Sequence, residues 1–464
     1  MSPSESTRSM LDRFRSFGNA EAIIFQEVIW TYTDFISKIE FLSADFLARG
    51  INPGDVVILK TADYSLEAIA SLWALWSSGV IVIPLTRNQW RQSLNCQETV
   101  STKWICDVSD SSGTMKIEPI ENFHPVQEQA EVKLEIIRKR GHAGLVLLTS
   151  GTTALPRLVL HDLSRLLGRF HRKREPTRIL AFLMFDHMGG IDTMMHALSS
   201  GGTLILPGPG DRSPESIALL IDQQRIQLLP TSPTFLNYLL HSELTTQYSL
   251  KSLERISFGT ESMPELTLKR LRETLPWVKL TQSYGTTEVG VPSVRSCGDN
   301  PGWMQLQLDN SKIKIVDGEL FLRTENAMIG YLNAPDPFDA DGWYATGDLV
   351  EYDSSQQFFR ILGRKSDIIN VGGEKVSAMA VEDVIRQADN IRNVLVRAES
   401  NPLIGQMIAA DVELMKPERT LELSRRLRDF CKDHLESYQI PSKFQIVEKL
   451  QLTDNGKIKR QHEI

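Results

Sequence analysis

Cysteine is scarce and scattered. The chain holds four, Cys96, Cys106, Cys297 and Cys431, and no C-x-x-C pair. Neither a zinc site nor a disulfide framework is indicated, and the pattern suits a reducing cytosol. A basic balance is also missing. The net charge is −7, which offers a polyanion nothing in bulk, and the run Arg172, Lys173, Arg174 reads as a solvated loop rather than a nucleic-acid site. Met1 to Gly18 lacks the apolar core of a signal peptide. The most apolar stretch, Ala68 to Leu85, is interrupted by Ser77, Ser78 and Gly79. It reads as a helix followed by a strand, not as a membrane span. Internal repeats and low-complexity linkers are absent.

What is present fits a soluble globular protein: 464 residues, 41% hydrophobic and 23% charged, enough for roughly two to four domains. Apolar positions at helical spacing predict a helix within 31–50, with Thr33 as its N-cap and Gly50 as its stop. Strands are predicted at 55–60 and 79–85 with a helix at 65–78 between them, then strands at 144–149, 179–184, 203–206 and 255–258 and a helix at 214–225. This alternation implies βαβ units and a parallel sheet. After residue 310 short strands and turns dominate, with Asp317-Gly318 as a hairpin signal. From about residue 366 a last α/β segment follows, with helices predicted over 375–388 and roughly 420–435 around a strand at 391–400. The fold class is therefore α/β: a large N-terminal domain of α/β subdomains plus a β unit over 1–363, and a small C-terminal α+β domain over 366–464.

Five short motifs could carry chemistry. Thr149-Ser150-Gly151-Thr152-Thr153 follows a strand; its hydroxyls and free N–H groups can wrap a polyphosphate, with Arg157 as an added cation. It is not a Walker loop, since no Gly-Lys-Ser/Thr follows, and a plain hydroxyl-rich turn has the same composition. Tyr284-Gly285-Thr286-Thr287-Glu288 offers an aromatic face for a base, a hydroxyl for a phosphate and a carboxylate for Mg²⁺, or else a polar turn after a strand. In Thr346-Gly347-Asp348 the carboxylate could accept from ribose hydroxyls or cap its own backbone. Gly363-Arg364-Lys365-Ser366 sets a cationic fork at the domain boundary, with Gly372-Gly373 beyond it. Near the end, Asn455-Gly456-Lys457 places a lysine on a glycine turn, as a swinging cation or as part of a solvated tail.

In this order and spacing, over Thr31 to Arg460, the motifs resemble the adenylate-forming superfamily of acyl-CoA synthetases, peptide-synthetase adenylation domains and luciferases. Phe185-Asp186-His187-Met188-Gly189-Gly190 resembles that family's His-x-x-Gly motif and brings the chain nearest the acyl-CoA synthetases. Phe185-Asp186 also mimics a peptide-synthetase pair whose Asp holds an amino group, with a downstream spacing that is too long. The resemblance implies a carboxylate–thiol ligase using ATP, Mg²⁺ and CoA, or a carrier-protein phosphopantetheine in place of CoA. It implies that Thr149, Ser150, Gly151, Thr152 and Thr153 are the phosphate loop. Tyr284 and Gly285 would lie along the nucleotide, Thr287 on the α-phosphate, Glu288 on Mg²⁺, and Asp348 with Arg364 on the ribose. His187 would stand near the acyl carboxylate, and Lys457 would serve the adenylation step from a mobile lid with its hinge at Ser366. Ala154, Arg157 and Ser366 depart from the family's usual Gly, Lys and Asp or Lys. A nucleotide-binding homologue without catalysis is the remaining reading, and the presence of Glu288, Asp348 and Lys457 argues against it. The expected substrate is a small acid with an apolar or aromatic tail, its pocket drawn from 185–194, 231–236, 258–263 and 283–290, with Met194, Phe235 and Phe258 on the walls.

Overall fold

The computed structural model describes residues 5–87, 89–90, 99–109, 115–120, 127–149, 156–241, 244–259, 261, 263–297, 300–307, 312–355, 357–401, 405–453 and 456–460. Ser150 to Leu155 and Asn455 lie outside them. The chain forms the α/β body, β unit and small α+β segment that its patterning predicts.

Two seven-stranded sheets make up the body. One runs Lys279–Gln282, Arg255–Phe258, Leu228–Thr231, Arg178–Leu180, Thr203–Leu206, Glu21–Phe25, Val28–Thr31. It is parallel except for its edge hairpin. The other runs Gly330–Tyr331, Arg157–Asp162, Gly144–Thr149, Ile81–Leu85, Val56–Lys60, Thr102–Asp107, Lys116–Pro119 and is mixed. Helix Leu66–Ser77 buries every residue except Glu67, which is why its sequence is apolar all round. Ser65 starts it by accepting from the Ala68 N–H. A six-stranded sheet, with Tyr344–Asp353 and Phe358–Arg364 adjacent, forms the β unit. Its Asp317-Gly318 turn has both φ angles positive, 51° and 77°, as a tight hairpin requires.

Residues from Ile368 onward build a separate five-stranded sheet with its own apolar core, including Val376, Val381, Val394, Ala410 and Leu427. The terminal turn at 456–458 leaves this unit and reaches back to the body.

Three local expectations are corrected. The helix near residue 31 spans Tyr32–Ala48 and is capped by Thr31, not Thr33, because Asp34 completes a reciprocal capping box with Thr31. The helix expected over 375–388 is a strand, Glu374–Ser377, then a helix, Ala378–Ile385, capped by Ser377. The strand expected at 179–184 ends at Leu180. Arg212 donates to the Phe182 carbonyl at 3.0 Å while making a fork with Asp63 at 2.8 and 2.7 Å. Tyr64 donates to the Leu183 carbonyl at 2.9 Å. These bonds hold 182–187 as a shaped loop. A Cβ on Gly190 would stand 1.9 Å from the Met184 carbonyl oxygen, so the loop can turn only against a glycine. Gly190→Ala is expected to destabilise the protein by roughly 1–3 kcal/mol; the shift in urea midpoint against wild type checks this.

Candidate active site

Two carboxylates are each held by a tyrosine hydroxyl: Asp348, which lies within the strand Tyr344–Asp353 rather than just past one, and Glu288, in the turn after Lys279–Gln282. Asp348 is 5% exposed. Its backbone N–H donates to Thr346 Oγ1 at 3.0 Å, after Gly347 turns with a φ of 74°. Tyr284 donates to Asp348 Oδ2 at 2.7 Å, and Arg364 Nε lies 3.3 Å from Oδ1. Asp348 and Arg364 are register partners on neighbouring strands, so sheet pairing itself sets this ion pair. Burial raises the Asp348 carboxyl, while Arg364 and the Tyr284 bond pull it down. Burial, with Asp348 beside it, pushes the Tyr284 phenol well above its ordinary range and keeps it a neutral donor. The ring of Tyr284 meets Phe359 edge-on at 6.1 Å.

Glu288 is 8% exposed. Tyr331 donates to its Oε1 at 2.8 Å and accepts from Arg157 at 3.3 Å. The Arg157 guanidinium also lies over the Tyr331 ring, 5.0 Å from its centroid, a cation–π arrangement. Burial, with the charge of Glu288 nearby, raises the Tyr344 phenol and Arg364 opposes this, so Tyr344 stands between the two carboxylate clusters. Thr149 stands directly across the hairpin from Arg157.

The turn 284–288 is fixed from below. The Ser283 N–H donates to the Phe258 carbonyl at 2.7 Å, and His161 Nε2 meets the Thr287 carbonyl at 2.6 Å. A carbonyl only accepts, so His161 carries its proton on Nε2. Burial lowers its pKa to about 4. A Cβ on Gly285 would lie 2.6 Å from the Gly290 carbonyl oxygen, which explains the glycine in the motif.

Lys457 comes from the C-terminal unit. Its turn is closed by the Thr453 N–H donating to the Lys457 carbonyl at 2.7 Å and by Lys457 N–H donating to Thr453 Oγ1 at 3.2 Å. Burial lowers the pKa of the amine; Glu261 opposes this and Arg364 adds to it. The lysine is thus close enough to feel the arginine that pairs with Asp348. His187 begins helix Met188–Ser199 and has its Nε2 3.7 Å from Asp186 Oδ1. Asp186 is 1% exposed and accepts from Thr86 Oγ1 at 2.6 Å. It faces the interior, so the amino-group-binding likeness of Phe185-Asp186 does not extend to its geometry.

Ser366 lies exposed in the turn Lys365–Asp367, its hydroxyl donating to Asp367 at 3.1 Å. Gly372 and Gly373 form a hairpin tip with φ of 60° and 100°. A narrow, mostly apolar cavity starts at Met188, just past His187, and is walled by Ile191 and Met195, by Gly290 and Val291 just past Glu288, and by Leu166 and Phe170, with the Arg169–Asp192 ion pair and Asn326 also on its lining. Met194, Phe235 and Phe258, expected on its walls, are packed in the core instead. Helical periodicity explains the exchange: Met188, Ile191 and Met195 share a face that Met194 does not. Leu166 and Phe170 on the cavity wall, and Tyr331 beside Glu288, were not visible as site residues, because no motif surrounds them.

Comparison with known proteins agrees with this geometry. The family described as AMP-binding enzyme matches residues 11–332, and the AMP-binding enzyme C-terminal domain matches 380–457. The chain belongs to the AMP-binding enzymes, the adenylate-forming class. It is 25% identical over 471 residues to the 2-succinylbenzoate–CoA ligase of Listeria monocytogenes serotype 4b (strain F2365), covering 98% of each protein. It is 28% identical over 345 residues to the medium-chain fatty-acid–CoA ligase of Escherichia coli (strain K12), a match over 68% of this chain and 59% of that protein. The fold superposes on an anthranilate CoA ligase in complex with anthranoyl-AMP with a TM-score of 0.80 at 18% identity, covering 97% of this chain and 95% of that one. Among the described residues, no helix is long and apolar enough to cross a membrane.

The buried His161 gives a pH prediction. Its folded pKa of about 4 lies below its unfolded value of 6.5. The unfolded chain therefore takes up the proton first, and stability present above pH 6.5 is lost as pH falls toward 4. The loss from this group is expected to be about 3 kcal/mol. His161→Gln keeps an N–H donor for the Thr287 carbonyl and should remove that part of the slope. Urea unfolding of both proteins between these pH values measures it, and an unchanged slope contradicts the assignment.

Proposed function

We propose that this enzyme activates a carboxylic acid with ATP and passes the acyl group to the thiol of CoA. The carrying observation is convergence: the lid turn that bears Lys457 is docked where Arg364, the partner of Asp348, acts on the lysine. Two lobes thereby present separate charges to one nucleotide.

Both reactants are anions, so the chemical problem is charge. A carboxylate oxygen attacks the α-phosphorus of ATP, the bond from that phosphorus to the bridging oxygen breaks, and pyrophosphate leaves. In this reading Lys457 neutralises charge at the reacting phosphate, Thr149 with Ser150, Gly151, Thr152 and Thr153 holds the β and γ groups, and Thr287 meets the α-phosphate. Asp348, oriented by Tyr284 and Arg364, accepts from the ribose hydroxyls. Gly285 leaves room beside the nucleotide, and His187 flanks the acyl carboxylate. Glu288 would hold Mg²⁺, which supplies positive charge between phosphates when bound. One carboxylate suits an ion that keeps waters and phosphate oxygens as its other ligands, and Tyr331 already orients Glu288 by bonding only Oε1. The acyl-adenylate is then attacked at its carbonyl carbon by the thiol sulfur; the thiol proton is lost and AMP departs. We place the domain boundary at 363–366 and assign the second step to rotation of the lid about Ser366, which withdraws Lys457 and brings Gly372-Gly373 to the thiol.

The apolar cavity beyond His187 supports an acid with an apolar tail. CoA as acceptor is supported by the relative that aligns from end to end and whose name is a CoA ligase.

Acid-dependent ATP–pyrophosphate exchange tests the reading, with products compared for CoA and for a holo carrier protein. Exchange with apolar-tailed acids and thioester with CoA are expected; ATP binding without exchange for any acid overturns it. Lys457→Ala should lower exchange by ~10²–10³-fold and spare thioester formation from supplied acyl-adenylate. Equal loss of both half-reactions counts against the lysine's role. Ile191→Phe narrows the cavity and should lower kcat/KM for the longest accepted acid by about tenfold or more while leaving the shortest little changed.

A further inference from the structure

The turn that carries Lys457 is gripped on both sides of the lysine. On one side, Ser232 Oγ donates to the Gly456 carbonyl at 2.7 Å. Ser232 is fully buried, and its oxygen also accepts the Phe235 N–H at 3.1 Å, which aims the hydroxyl proton outward at the turn. Gly456 has a φ of 70°, and a Cβ there would meet both Phe182 and Ser232 at 3.3 Å. On the other side, Glu261 Oε1 accepts the Ile458 N–H at 3.3 Å. Its second oxygen is held by Thr234, through the hydroxyl at 2.7 Å and the N–H at 3.3 Å. Both grips come from the body, from segments that follow the parallel strands Leu228–Thr231 and Arg255–Phe258. Two neighbouring strand ends thus reach across to the residues flanking one lysine.

We propose that Ser232 and Glu261 are positioning residues for adenylation: Ser232 sets the height of the Lys457 turn through the Gly456 carbonyl, and Glu261 both anchors Ile458 and keeps the lysine's charge in place. This rests on the role given to Lys457 above.

Electrostatics separates the two contributions. Lys457 is faced by Glu261 from the body and by Arg364 from the boundary strand; Arg364 is itself faced by Asp348 and Asp367, and Glu261 also faces Arg460. Burial and Arg364 disfavour the ammonium, and Glu261 favours it. Without Glu261 the amine loses its proton at lower pH. Activity that needs the ammonium is lost as pH rises through the amine's pKa, so the alkaline limb should move to lower pH.

The two half-reactions of the full-length enzyme test this. Ser232→Ala removes the donor to Gly456 and should slow ATP–pyrophosphate exchange by roughly tenfold to a hundredfold, with thioester formation from supplied acyl-adenylate intact. Glu261→Gln keeps an oxygen for the Ile458 N–H and removes the charge; it should slow exchange and shift the alkaline limb of its pH profile downward. Tyr238→Phe is the comparison. Tyr238 ties the body to the lid through Glu413 at 2.6 Å and not through Gly456 or Ile458, so its loss should weaken lid docking without moving that limb. Wild-type exchange in both Ser232→Ala and Glu261→Gln, or an unmoved limb in Glu261→Gln, overturns the proposal. If Lys457→Ala itself leaves exchange unchanged, the underlying role of the lysine fails instead, and the two failures are distinguishable. Loss of thioester formation in Ser232→Ala or Glu261→Gln also overturns it, because it marks a general structural role.

Discussion

A half-buried lysine ammonium that feels an arginine of like charge is the constraint on which this architecture depends. Desolvation and like charge both favour the neutral amine, and in this chain Glu261 is the carboxylate that works against them. Asp348 is already engaged by Arg364 and Tyr284, and Glu288 by Tyr331. The cations Lys457, Arg364 and Arg157 therefore stand around carboxylates whose hydrogen bonding is partly complete. A triphosphate and a carboxylate entering such a site bring the negative charge that the lysine lacks. That is the sense in which the site favours two mutually repelling reactants over none.

Phenols do the spacing. Tyr284, Tyr331 and Tyr344 are all buried, and burial raises each pKa, so all three stay protonated. A neutral hydroxyl lets a carboxylate be oriented without being neutralised, which a direct arginine fork would do. Tyr331 shows the logic: it takes a hydrogen bond from Arg157 and gives one to Glu288, so the cation acts at one remove. Glu288 keeps Oε2 for another ligand. The backbone of Tyr331 is itself held on both sides, since Lys133 donates to the Tyr331 carbonyl at 2.6 Å and Asp336 accepts its N–H at 3.0 Å.

The legible part of the site was the part written in short segments. Tyr284, Gly285, Thr287 and Glu288 lie within one turn, and Asp348 and Arg364 announce themselves by glycine turns beside strands. Their convergence needed only that the strands pair. What escaped were contacts made across long separations by residues with no local signature: Tyr331 to Glu288, Ser232 to Gly456, Glu261 to Ile458. Ser232 and Glu261 look like ordinary loop residues until two strands are laid side by side. The cavity was misread for a related reason. Segment 185–194 contributes Met188 and Ile191 to the cavity wall, but helix phase decides which residues face it, and Met195, one residue beyond that segment, lines it where Met194 does not. Thr31 was passed over for Thr33 because hydrophobic spacing marks a helix end only loosely, while the partner at Asp34 decides it.

The same long-range contacts explain how the lid can be held and still be released. Those described between the lid and helix Pro233–His241 or its neighbours are single hydrogen bonds: Asn237 to the Arg392 carbonyl at 2.8 Å, Tyr238 to Glu413 at 2.6 Å, Ser232 to Gly456 and Glu261 to Ile458. The two to backbone carbonyls are worth about 0.5–1.5 kcal/mol net each and the two to carboxylates about 1.5–3 kcal/mol, because water can replace either partner on separation. An apolar seam would add about 25 cal/mol for every Å² buried and would have to be re-exposed at each opening. Polar clasping thus gives accurate placement of one turn with a shallow barrier to leaving it. In the reading proposed above the lysine is needed in one half-reaction and unwanted in the next, which calls for that combination; it is obtained by fixing the backbone on either side of the residue while leaving its side chain to the substrate.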